Sequence, residues 1–101
     1  RRRAAATPPS RSSTPGVTAA EMQRLEALLR VPSVSADPAH AHDMERAAGL
    51  VADEIERAGG RARVERTGGH PLVVGEVPAS SGDQDAPRVI LYGHYDVQPP
   101  G

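Results

Sequence analysis

The chain has 101 residues and a formal net charge of −1, which leaves room for one small domain at most. It has no Cys, which excludes a disulfide framework, Cys-ligated zinc and a thiol nucleophile. No apolar run approaches the ~20 residues of a membrane span, and the near-neutral charge gives bulk nucleic-acid binding no electrostatic basis. The class that remains is a soluble, cytoplasmic protein. Its apolar residues are mostly Ala and Val, with two Tyr and neither Phe nor Trp, so a thin core is expected.

Charge is uneven along the chain. Residues 1–20 carry four Arg and no acid, whereas the remainder carries eight Arg against thirteen acids. Residues 1–17 are rich in Arg, Pro, Ser and Ala, show no period, and read as a disordered arm. The same composition suits an organellar transit peptide, but a solvated tail is the simpler reading of so loose a signal. The chain opens on Arg rather than Met, so this start is expected to be a cut end.

The first ordered element is expected at Thr18. Thr18 and Glu21 have capping-box spacing, and Met22, Leu25, Leu28 and Leu29 then recur at helical intervals. Pro32 biases Val31 away from helix, and residues 31–35 read as extended. A second helix follows, starting at Asp37-Pro38 or nearer His42-Asp43. Its apolar stripe is Met44, Ala47, Ala48, Val51 and Ile55, and Gly59-Gly60 stops it. The period then changes to two. Residues 61–67 alternate as a half-buried strand does, Gly68-Gly69 signals a turn, and residues 72–77 form a second strand. After a polar loop at 78–87, Arg88-Val89-Ile90-Leu91-Tyr92 reads as a strand buried on both faces, central in a sheet with helices above and below. Helix, helix and three strands predict an α/β layer fold.

The chemistry concentrates where that central strand is expected to end, in Gly93-His94-Tyr95-Asp96-Val97-Gln98-Pro99. Ligands of open α/β sheets bind at the carboxyl ends of strands. On extended backbone, residues two apart project to the same side, so Asp96 is able to reach the His94 ring. A metal-bound imidazole gives its other N–H to a carboxylate or carbonyl, and His-x-Asp supplies ligand and orienting acid within three residues. On spacing alone, a surface His paired with a nearby acid is an equally good reading. The remaining candidates favour plain roles. His40, His42 and Asp43 suit a solvated helix start, because a two-residue helical step turns about 200° and separates the rings. His70 suits an exposed Gly-Gly-His-Pro turn. Asp83 and Asp85 suit a solubilising loop, and Glu54, Glu56 and Arg57 a solvated helix face.

The longer string Leu91-Tyr92-Gly93-His94-Tyr95-Asp96-Val97-Gln98-Pro99 closely resembles a signature of the M-twenty metallopeptidase family. This family includes carnosine dipeptidase-like enzymes, carboxypeptidase G and succinyl-diaminopimelate desuccinylase. Tyr95 between His and Asp, followed by Val-Gln-Pro, looks most like the dipeptidase branch. Residues 28–36, the helix ending at Gly59-Gly60, and Gly69-His70-Pro71-Leu72-Val73 are similar to the family too, so the likeness spans about residues 19–101. It implies that His94 is a zinc ligand and Asp96 the acid that orients it, in a site of two divalent ions (zinc, with manganese an alternative) bridged by a carboxylate and a water or hydroxide. It further implies a dipeptide or N-acyl amino acid substrate and a homodimer in the full-length protein, while the charge and the lack of a long apolar run leave no nucleic-acid or membrane partner expected. The bridging Asp, the Glu pair with its general base, a further acid and a second His lie later in the family's chain than Gly101.

The expected fold is therefore the N-terminal helices and first strands of an incomplete, mixed-sheet, three-layer α/β catalytic domain over residues 18–101. Its expected function is hydrolysis of peptide or amide bonds by a longer polypeptide, with this chain alone inactive. A non-catalytic truncated remnant or binding module, and an aminoacylase or desuccinylase of the same family, are the alternatives.

Overall fold

The computed structural model describes residues 16–101, so the expected arm at 1–17 falls almost wholly outside the described residues. The chain forms helix α1 (Ala19–Leu29), a short 3-10 turn (Pro38–His40), helix α2 (Ala41–Arg57), and strands β1 (Arg61–Glu65) and β2 (Leu72–Glu76). The result is a small mixed α/β arrangement of two helices and one two-stranded antiparallel sheet.

Local chemistry accounts for the ends of each helix. Thr18 caps α1: its hydroxyl accepts the Glu21 amide at 3.1 Å, and the Glu21 carboxylate accepts the Thr18 amide at 3.2 Å. The Asp37 carboxylate accepts the Ala39 amide at 2.9 Å and starts the 3-10 turn, which runs into α2 at Ala41. Both expected start points thus belong to one continuous entry. At the other end, Gly59 takes φ +93°, a left-handed conformation that suits glycine. The Gly60 amide then donates to Ile55 O and the Gly59 amide to Glu56 O, each at 3.0 Å. This Schellman pattern satisfies two carbonyls that the last helical turn leaves open.

The core lies along one face of α2. Met44, Ala47, Ala48 and Ala52 are buried there, and Val31 and Val34 of the preceding segment complete it. Helix α2 packs on both strands. Its small alanines permit close approach, and Ile55 lies over Gly60 and Gly75. In the hairpin, Arg61 pairs with Glu76 and Glu65 with Leu72. The strands are shorter than expected by two residues in β1 and one in β2.

Two expectations fail. Among the described residues the apolar stripe of α1 is mostly uncovered: Met22, Leu25 and Leu29 are exposed, Leu28 is half-buried, and nothing in this helix is fully buried. An Arg24–Glu54 ion pair at 2.8 Å links α1 to α2. Residues 88–92 form no strand, and Val89, Ile90, Leu91 and Tyr92 are 81–94% exposed. A strand requires neighbours for its backbone groups and cover for its faces. Among the described residues, neither is supplied at this segment.

Candidate functional site

Three segments meet at the candidate site: residues 33–35, the turn at 70–71, and residues 94–97; the expected extended run 31–35 ends early, because Ser35 enters a turn closed by the Asp37 amide on Val34 O at 3.2 Å. Val34 forms an isolated parallel bridge with Val97, and the Val97 amide donates to Ser33 O at 2.9 Å. Ser33 is buried to 1% exposure, and its hydroxyl donates to Tyr95 O at 3.0 Å, so the buried polar atom is satisfied. The hairpin turn is organised by Thr67, whose hydroxyl donates to His70 O at 2.7 Å and accepts the Gly69 amide at 2.9 Å. That turn places His70 Nε2 at 2.8 Å from Ser35 O, and Pro71 O at 2.5 Å from the Tyr95 hydroxyl, which donates to it. A carbonyl only accepts, so the His70 proton is on Nε2. Partial burial, reinforced by the Asp96 charge, raises the Tyr95 phenol above its ordinary pKa.

The clamp presents His94 and Asp96. His94 Nδ1 lies 2.8 Å from Asp96 Oδ1, the contact expected from their two-residue spacing. Asp96 Oδ2 accepts the Ser35 hydroxyl at 2.5 Å. The bond from Ser35, then that from His94, holds the Asp96 carboxyl below its ordinary pKa, against a smaller opposing effect of desolvation. An ionised Asp96 accepts only, so the neutral His94 ring carries its proton on Nδ1 and has its lone pair on Nε2. The His94 side chain is 79% exposed, which leaves that lone pair open to solvent. A ring fixed in this tautomer by a carboxylate has the form that binds a divalent cation. It fits as a single ligand, and among the described residues no group of three His, Asp or Glu side chains converges on a cation position.

The position of the pair in the fold differs from expectation. It does not extend from the end of a central strand, because residues 88–92 form none; contacts with residues 33–35 and 70–71 hold it instead. His70, expected as an exposed turn residue, is half-buried and hydrogen-bonded. His40 donates from Nδ1 to Asp43 Oδ2 at 2.8 Å, and Arg46 bonds the other oxygen at 3.0 Å. The His40 bond, ahead of the Arg46 bond, keeps the Asp43 carboxyl below its ordinary pKa, in keeping with a structural role at the helix start. Sequence reasoning missed Ser33 and Ser35. No local signal marks them, since their partners Tyr95 O and Asp96 Oδ2 lie about sixty residues away along the chain. Among the described residues, no helix is long and apolar enough to cross a membrane.

No protein-family model matches the chain, and no curated protein or solved structure matches it.

Proposed function

We propose that these residues are part of a metal-dependent, dipeptidase-like hydrolase of the M-twenty metallopeptidase type, acting on a dipeptide or N-acyl amino acid. The observation that carries this reading is the His94–Asp96 pair, with Nδ1–H directed at the carboxylate and Nε2 open. It occurs within the very string whose resemblance assigns ligand and orienting acid to those two positions. A divalent pair, zinc or manganese, would lower the pKa of water and polarise the scissile carbonyl. This chain's own contribution is to hold one imidazole in the metal-binding tautomer and to keep Asp96 ionised beside it. The finer fold reading, the opening portion of a three-layer catalytic domain, belongs to the same proposal. So do a cytoplasmic location and dimerisation of a longer protein.

The test is metal content and dipeptide hydrolysis by a polypeptide that joins these residues to a complete ligand set. His94→Ala should remove one metal equivalent and most of the turnover. Asp96→Asn should lower metal affinity or activity by about 10–100-fold. Unchanged metal content and turnover in His94→Ala would refute the assignment.

A second reading concerns the 101-residue chain by itself, as a non-catalytic module. One imidazole does not hold catalytic zinc, which takes about three protein ligands. The exposed run at 89–92 also favours this reading, because apolar surface of that kind pairs or aggregates when uncovered. Dipeptide hydrolysis by the isolated chain, with stoichiometric metal, would refute it.

A further inference from the structure

We propose that Ser35 is a positioning residue for the cation site: it holds the Asp96 carboxylate in the orientation that fixes the His94 tautomer. This rests on the reading of His94 as a metal ligand and adds to it a residue that neither the resemblance nor the His-x-Asp spacing assigns.

The geometry is a closed circuit. The Ser35 hydroxyl donates to Asp96 Oδ2 at 2.5 Å, which turns Oδ1 toward His94 Nδ1 at 2.8 Å. One residue back along the chain, the Tyr95 hydroxyl donates to Pro71 O at 2.5 Å. From the residue before Pro71, the His70 ring returns to Ser35 O at 2.8 Å. Ser35 is thus held through its backbone by His70, while its side chain holds Asp96. The buried Ser33 closes the same junction, with its hydroxyl on Tyr95 O and its carbonyl accepting the Val97 amide.

A carboxylate is free to rotate about its last side-chain bond and to exchange its two oxygens with solvent. With Oδ2 held by a short hydroxyl bond, rotation breaks a hydrogen bond to a charged acceptor, one of the stronger kinds. Oδ1 therefore stays on Nδ1–H. The His94 ring is exposed and, among the described residues, has no other hydrogen bond that selects a tautomer. Its Nε2 lone pair then depends on the Asp96 contact, and that contact on Ser35.

The experiment uses the 101-residue chain labelled with ¹⁵N. Long-range ¹H–¹⁵N spectra at about pH 8, above the ordinary imidazole pKa of ~6.5, report the His94 tautomer directly. In the wild type the Nδ1–H form should dominate. Ser35→Ala should lower the ratio of Nδ1–H to Nε2–H forms severalfold, and Ser35→Thr, which keeps a hydroxyl, should restore it. A ratio unchanged in folded Ser35→Ala overturns the proposal. If Ser35→Ala does not fold, Ser35→Thr carries the test, and loss of the wild-type ratio in the folded Thr variant overturns it equally. Metal content of the polypeptide that joins these residues to a complete ligand set separates the two claims. Loss of one metal equivalent in His94→Ala supports the ligand role. A tautomer that responds to Ser35→Ala while His94→Ala keeps its full metal content overturns the ligand reading of His94, and with it the role given to Ser35. Metal loss in His94→Ala with an unresponsive tautomer overturns only the role of Ser35.

Discussion

A methyl group added at Gly75 tests how closely α2 lies on the hairpin. It would sit 2.7 Å from Ile55 Cγ2, 2.8 Å from Ile55 Cδ1 and 3.1 Å from Arg61 O. Left to chain entropy alone, replacing a strand glycine with Ala gains about 0.5–1 kcal/mol. Overpacking costs about 1–3 kcal/mol, and contacts this far inside van der Waals separation place position 75 in that range, so the collision wins and Gly75→Ala is destabilising. The two closest collisions are with the tip of one side chain, so Ile55→Ala should relieve them. Ile55→Ala alone removes a half-buried side chain, for which roughly half of the ~2–5 kcal/mol of a fully buried Ile is expected. The double variant should be more stable than the sum of the singles predicts, with a coupling of about 1–2 kcal/mol. Gly60→Ala is the comparison: its Cβ would lie 2.5 Å from the backbone oxygen of Glu76, which trimming Ile55 does not move, and 3.1 Å from Ile55 Cγ2, so its coupling with Ile55→Ala should be the smaller of the two. Urea unfolding of the variants, followed by far-UV circular dichroism at one pH, supplies the required stabilities. Additivity of Gly75→Ala with Ile55→Ala within about 0.5 kcal/mol would refute the packing described for α2 and the hairpin.

Two further predictions concern the helix cap and acid. Thr18→Ala should destabilise α1 by about 1 kcal/mol, and because α1 buries nothing the effect should stay local. Amide exchange in its first turn should speed up about fivefold while α2 keeps its protection; unchanged exchange would contradict the capping box. Asp43 and Asp96 both have carboxyl pKa values below the ordinary 3.8. Their contribution to stability is therefore complete above about pH 4, the unfolded value, and is lost as pH falls through the lower folded values. The urea midpoint should hold level from neutral pH to the unfolded value and fall below it, less steeply in Asp96→Asn. A midpoint that rises on acidification through this window would refute these shifts.

The parts of the fold that were legible in the sequence are those governed by neighbours along the chain. The Thr18–Glu21 box, the Asp37 cap of the 3-10 turn, the Gly59 end of α2 and the change from helix to strand at residue 61 each depend on atoms a few residues apart, although β1 is covered only at Ala62 and not on alternate residues. The His94–Asp96 contact is of the same kind, since two-residue spacing on extended backbone is enough to bring ring and carboxylate together. The contacts that hold this pair were not legible. Ser35 and Asp96 are separated by 61 residues, and Pro71 and Tyr95 by 24. No local pattern encodes which hydroxyl will face which carboxylate at that range.

Residues 88–92 show the same division from the other side. Their continuous apolar character specifies what the segment requires, cover on both faces and partners on both edges, but burial is a property of the surroundings. Among the described residues those surroundings are absent, and Ile90 and Leu91 are each 91% exposed. The apolar stripe of α1 largely shares this outcome, whereas in the equally readable stripe of α2 Met44, Ala47 and Ala48 are buried and Val51 and Ile55 half-buried, because the hairpin packs on that helix. Helix ends, the positions of β1 and β2 and the pairing of His94 with Asp96 are thus set by short-range sterics and hydrogen bonds, and are readable along the chain. Which apolar faces find cover, and that Ser35, His70 and Tyr95 hold the pair, depends on distant segments meeting in space.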